Sequence, residues 1–150
     1  MFTGEYKHTI DAKGRVSVPS GMRDVLRVSY DERFVITHSL LGRCLWAFPY
    51  EEWQALAERI AKSGLGGRPL MKLRRKLFPN ARTCPLDKAG RILLHEPLRM
   101  YAEISQEVTF ASVGRYVELW RPELWDTEKA SLDDDETTDI LLTAMAELGL

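Results

Sequence analysis

Two arginines carry the most distinctive chemistry this sequence offers. Arg15 closes the stretch DAKGR, residues 11–15, and Arg91 closes DKAGR, residues 87–91. Each follows an aspartate four residues back and a glycine just before it: Asp11 and Gly14, then Asp87 and Gly90. The aspartate and glycine are what a tight turn demands, one accepting backbone N–H bonds and the other taking a left-handed conformation. Turn chemistry does not demand arginine. An exposed Asp–Arg pair contributes only about 0.2–1 kcal/mol, a weak reason to hold the same residue twice. A guanidinium is also a planar fork of donors that suits guanine edges and phosphates. Lys13 and Lys88 sit in the two turns, and Arg23 and Arg99 follow downstream at matching positions. These residues favour nucleic-acid contact over plain salt bridging, with basic surroundings supplying long-range attraction.

Other chemistry is sparse. His8, His38 and His95 have no metal-ligand spacing with one another or with a cysteine pair. Cys44 and Cys84 are too few and too far apart for a zinc site or a disulfide framework, and they fit a reducing compartment. GxSxG, P-loop and GxGxxG motifs are missing, and GLGG, 64–67, has no strand leading into it. Trp46, Trp53, Trp120 and Trp125 read as core and helix-packing residues, with base stacking a minor alternative. The expectation is a protein that is not an enzyme and uses no cofactor, metal or small-molecule substrate.

The elements that must position the arginines come from a repeat. A shift of 76 residues aligns the two quoted stretches, Met22 with Leu98, Arg23 with Arg99 and Val28 with Ile104. It also aligns Phe2-Thr3-Gly4 with Phe78-Pro79-Asn80, so both copies are expected to open on the same positive-φ turn. Beyond a four-residue loop deletion the shift becomes 72, and Gly42-Arg43, Phe48 and Trp53 meet Gly114-Arg115, Trp120 and Trp125. Each unit predicts a short strand (EYKHTI or ARTCPL), the turn, a second strand (RVSVP or RILLH) and a helical turn (SGMRDVL or EPLRMYA). Two more strands follow, RFVITHS then CLWAF, or EVTFAS then YVELW, and a helix opens after Pro49 or near Pro122.

A unit of about 45 residues is too small to bury an adequate core alone. The two units, 5–53 and 81–125, are therefore expected to share one, by swapping hairpins or packing sheets into a pseudo-two-fold β-barrel, a β-rich α+β fold. The linker, 54–80, predicts two helices, the second starting at Pro69. The tail, 126–150, predicts an amphipathic helix with Ile140, Leu141, Ala144 and Leu148 on one face, expected to dock on its own core.

Charge is unevenly spread although the formal net is −1. Residues 68–99 carry nine Lys/Arg against two acids, and residues 118–150 carry ten acids against two bases. That pattern predicts a polyanion-binding surface beside a self-shielding acidic tail. The polar start MFTGEYKHTID and the lack of any apolar run of about 18–20 residues predict a cytosolic chain without a membrane span.

The paired Asp-x-x-x-Arg hairpins, FTG, DAKGRVSVP, the mid-chain RRKLFPNA and DKAGRILL together resemble the MraZ family of bacterial transcriptional regulators across nearly the whole chain. The repeated unit is similar to the DNA-binding domains of AbrB, SpoVT and MazE. The resemblance implies two swapped-hairpin units in tandem, assembled into a homo-oligomeric ring. It implies a nucleoid-associated repressor that binds short promoter direct repeats of double-stranded DNA, upstream of its own division and cell-wall operon. It places DNA reading at Arg15 and Arg91, with Asp11 and Asp87 bracing the hairpins. The second copy departs in having Leu93 for Ser17 and His95-Glu96 for Pro19-Ser20. The competing reading is an antitoxin-like or scaffold protein whose C-terminal helix binds a protein partner.

Overall fold

Alternating apolar and polar residues, punctuated by Asp-x-x-Gly, build the same elements twice. In the computed structural model, which describes residues 1–64 and 66–150, the first unit forms β1 (Glu5–Thr9), β2 (Arg15–Ser17), α1 (Ser20–Ser29), β3 (Arg33–His38) and β4 (Leu45–Pro49). The linker supplies α2 (Tyr50–Lys62) and α3 (Arg68–Leu77). The second unit forms β5 (Arg82–Pro85), β6 (Arg91–Leu93), α4 (Glu96–Tyr101), β7 (Glu107–Ser112) and β8 (Val117–Trp120), followed by α5 (Pro122–Ser131) and α6 (Asp135–Glu147). The break expected at GLGG includes Leu65, which lies outside the described residues.

The strands form a six-stranded antiparallel sheet in the order β1-β7-β8-β4-β3-β5 and a separate two-stranded ribbon of β2 and β6. Each unit's first strand has crossed to the other unit: β1 pairs with β7, placing Tyr6 opposite Phe110, and β5 pairs with β3, placing Cys84 opposite Phe34. The pseudo-two-fold passes between β4 and β8 and again between β2 and β6, where Val16 faces Ile92. The swap lets both units bury one face of their strands in a single core that neither could fill alone.

β3 and β4 read as continuous apolar runs because they are covered on both faces. One face sends Phe34, Ile36 and Leu45 into the core beneath the ribbon, where Phe110, Val16, Ile92 and Leu94 meet them. The other sends Trp46 and Phe48 against Trp53, Leu56 and Ile60 of α2 and Leu77 of α3. Glu51 and Glu52 begin α2 and Arg59 and Lys62 end it, each sign favoured by its end of the helix dipole. All four tryptophans pack as expected, Trp120 against Leu124 and Trp125 of α5. No helix among the described residues is long and apolar enough to cross a membrane.

Two expectations fail. Asn80 does not repeat the turn at Gly4: Gly4 has φ of +88°, while the described non-glycine residue with positive φ is Glu103. Asn80 instead donates its Nδ2 to the Lys76 carbonyl at 2.8 Å, capping the end of α3, because the residues before it are already helical. The tail helix α6 also does not dock on its own core: Ile140, Leu142 and Leu148 are 61%, 63% and 74% exposed. α5 is held at the β1 end of the sheet, where Trp125 and Lys129 both donate to Glu5, and the chain leaves the body beyond it.

Candidate nucleic-acid interface

Turn hydrogen bonds place each arginine. The Asp11 carbonyl accepts from Gly14 N–H at 3.0 Å, and Gly14 takes φ of +82°. Asp11 Oδ1 accepts from the N–H groups of Lys13 and Arg15, both at 2.9 Å, and Asp11 Oδ2 accepts from Arg15 Nε at 2.9 Å. The second copy repeats the pattern: Asp87 Oδ1 accepts from Ala89 and Arg91 N–H, Asp87 Oδ2 accepts from Arg91 Nε at 2.9 Å, and Gly90 has φ of +74°. These bonds, the backbone donor of Arg15 or Arg91 first, hold both carboxyls below the usual aspartate range. The Asp–Arg pair is therefore formed twice, and Asp11, Gly14, Asp87 and Gly90 brace their turns. Among the described residues only Nε of each arginine is spent, which leaves its two Nη groups for something else.

The ribbon brings the two arginines together. Val16 and Ile92 point into the core, so Arg15, Ser17, Arg91 and Leu93 share the outer face. Arg15 stands opposite Leu93 and Arg91 opposite Ser17, which makes the arginines diagonal neighbours about 7–8 Å apart, within reach of long side chains. Thr83, Pro85, Asp87, Leu93 and His95 line one shallow cleft with both arginines. Cys84 also lines it, but burial pushes its thiol up to about 12, so it is a protonated wall and not a nucleophile at neutral pH. Lys13 and Lys88 are exposed in the two turns, flanking this face.

Arg23 and Arg99 lie elsewhere. Each packs, half-buried, against the turn of the opposite unit: Arg23 against Gly90 and Arg99 against Gly14. Arg99 Nε also donates to the Leu94 carbonyl at 2.8 Å. The turn glycines reach across as well, the Gly90 carbonyl accepting from Val18 N–H and the Gly14 carbonyl from Leu94 N–H. Each hairpin is thus clamped by the other unit, which fixes the spacing of the arginine tips. A Cβ at Gly90 would lie 2.4 Å from Arg23 Nη1. Gly90→Ala is expected to lower stability by more than the roughly 1–2 kcal/mol that a left-handed backbone costs, because the new Cβ would also lie 2.7 Å from Arg23 Cδ and displace the clamp. Thermal denaturation checks this; an unchanged melting temperature would mean the turn relaxes freely.

A second cationic grouping was not visible from spacing. Tyr101 stacks on His38 with ring centroids 3.6 Å apart, and Lys76 Nζ donates to its hydroxyl at 2.8 Å. Arg43 also lies over the Tyr101 ring, 5.1 Å from its centroid. Burial, then Lys76 and Arg43, lower the His38 pKa below its ordinary value. The contact pins the basic helix α3 at the β3 end of the sheet. His38 and Arg43 are close in sequence, but Lys76 and Tyr101 lie 25–63 positions from them and from each other, and no local pattern joins the four. Among the described residues no three His, Cys, Asp or Glu side chains gather at a metal site.

The family model described as "MraZ protein, putative antitoxin-like" matches residues 1–66 and 77–143. Curated relatives named "Transcriptional regulator MraZ" are similar over most of their length. The protein of Lachnoclostridium phytofermentans is 41% identical across 100% of this chain and 99% of its own. That of Roseiflexus castenholzii is 38% identical, covering 89% of this chain and 90% of its own. That of Carboxydothermus hydrogenoformans is 41% identical, covering 84% and 85%.

Proposed function

The chain belongs to the MraZ family, and from that premise we infer that it is a DNA-binding transcriptional regulator whose reading surface is the outer face of the β2–β6 ribbon. The observation that carries this reading is the convergence of Arg15 and Arg91, one from each unit, with free Nη groups on one exposed face. A two-stranded ribbon is slim enough for the major groove, where a bidentate arginine discriminates a guanine by about 1–3 kcal/mol. Lys13 and Lys88 flank the face and neutralise phosphates. Arg23 and Arg99 act one step removed, by holding the turns.

One ribbon supplies too little discrimination to find an operator in a genome. Assembly into a ring of identical copies repeats the contact, and sites recurring about every 10 bp would present the same side of the duplex. Short direct repeats suit that arrangement, and linked binding events multiply through effective concentration. Occupancy of its own division and cell-wall promoter then represses transcription by blocking polymerase, which places the protein in the cytoplasm on the nucleoid.

The test is a salt titration of operator binding with the chain's own upstream DNA. If Lys13 and Lys88 meet phosphates while Arg15 and Arg91 read base edges, log K falls against log salt with a slope of about −1.8 for each engaged copy, and of about −3.6 if all four meet phosphates. A flat plot excludes phosphate contact and defeats the reading. The competing antitoxin-like or scaffold function has one observation in its favour, the uncovered apolar side chains of α6.

A further inference from the structure

The described body ends in a helix that nothing covers. Leu141 and Met145 of α6 and Leu148 at its C-cap form a stripe at i, i+4 and i+7, exposed by 49%, 46% and 74%. Asp135, Glu136 and Asp139 charge its first half, and no basic residue lies in its last turn. A helix of 13 residues is marginal in water unless its apolar stripe is packed.

The opposite chemistry sits on α3. Residues 68–77 hold five cations and no acid. Leu77 is buried and Leu70 and Leu73 pack inward, while Arg68, Met71, Lys72 and Arg75 line an outer groove, with Met71 47% exposed. That groove offers an apolar floor with a cationic rim, the complement of α6.

Topology decides between a contact within one chain and a contact between chains. α5, and hence the departure of α6, is anchored to Glu5 of β1 and packs on β7. α3 packs on β3, where Thr37 Oγ1 donates to the Leu77 carbonyl at 2.6 Å. β1 and β3 are four strand spacings apart in the sheet, about 19 Å. Both surfaces are exposed in the same chain, so neither covers the other. Two different complementary patches at opposite ends of one body make a heterologous contact, which closes into a ring when the rotation allows.

We infer that α6 of one copy docks in the α3 groove of the next, its Leu141–Met145–Leu148 stripe over Met71 and its acids against Arg68, Lys72 and Arg75. The inference rests on the ring reading above and names the surfaces that build it.

Complementary charge reversal tests it. One variant carries Arg68→Glu, Lys72→Glu and Arg75→Glu; the other carries Asp135→Lys, Glu136→Lys and Asp139→Lys. By sedimentation velocity the native chain is expected to assemble, and each variant alone to fall to the mass of a single chain. An equimolar mixture regains the assembly, because each reversed α6 then meets a reversed α3. Leu141→Gln with Met145→Gln keeps every charge and is expected to dissociate as well, with circular dichroism confirming that the body stays folded. Retention of the native mass by either charge variant alone, or failure of two folded variants to recombine, overturns the docking while leaving the ring reading standing. A native chain that sediments as a single copy defeats both, and leaves α6 to a different partner. An α3 variant that assembles normally yet loses DNA affinity overturns the docking too and gives that helix to phosphate.

Discussion

Replacing Arg15 and Arg91 together with alanine is expected to weaken operator binding by about 2–6 kcal/mol per engaged subunit, roughly 30-fold to beyond 10⁴-fold. Both side chains project from the outer face of the ribbon, and both leave their Nη groups unspent. The fold should survive the change. The Asp11–Arg15 and Asp87–Arg91 pairs are about a third exposed, and pairs of that kind contribute about 0–1 kcal/mol each. The Asp side chains keep their backbone donors, so the turns stay closed. The arginine-to-lysine double variant separates charge from geometry: it keeps the salt dependence but loses the fork and with it base discrimination. The single variants should differ, because Arg15 has Leu93 as its cross-strand neighbour and Arg91 has Ser17. Gel shift with the chain's upstream DNA, with circular dichroism as the folding control, decides the matter. Full affinity in a folded double variant would remove the ribbon as the reading surface.

The largest effect on stability should come from Phe110→Ala. Phe110 is fully buried in β7, with Tyr6 of the swapped strand β1 on one side and Leu119 of β8 on the other. The His8 ring approaches its edge with centroids 5.8 Å apart. Removing the ring opens a cavity at the seam between the units, and the cost is about 3–5 kcal/mol. For a chain of this size that lowers the melting temperature by about 6–20 °C. Ile36, its repeat equivalent by strand register and fully buried, should cost about 2–5 kcal/mol when cut to alanine. Val28 is 85% exposed, and Val28→Ala should stay within about 0.5 kcal/mol of the native chain. A Phe110→Ala melting temperature matching that of Val28→Ala would mean the two units do not share the core described here.

Much of this arrangement was legible before any coordinates. EVTFAS, residues 107–112, is β7 to the residue, and the helix expected from EEWQALAERIAK is α2 with one residue added at its start. Asp-x-x-Gly named both turns, because its chemistry is confined to four consecutive residues. Failures came where a local rule met a distant competitor. Asn80 tolerates positive φ, but the carbonyl of Lys76 at the end of α3 claimed its side chain. The amphipathic α6 was expected to find its own core, yet the anchoring of α5 at Glu5 directs it away. The places of Arg23 and Arg99 could not be read from repeat position. Their packing beneath the opposite unit's glycines depends on the swap, which repeat position does not reveal.

By itself the sequence determined the duplicated unit, the two braced turns, the buried faces of the strands and the separation of basic and acidic segments. Each of these follows from hydrogen bonds, periodicity or charge within a few residues. The residues allowed either swapped hairpins or packed sheets; the tertiary structure decided that β1 leaves its own unit for β7 and β5 leaves for β3, which sets Arg15 and Arg91 diagonally on one ribbon. Which edge a strand joins depends on the apolar surface buried between residues about 50–100 positions apart, and spacing along the chain carries no record of that choice.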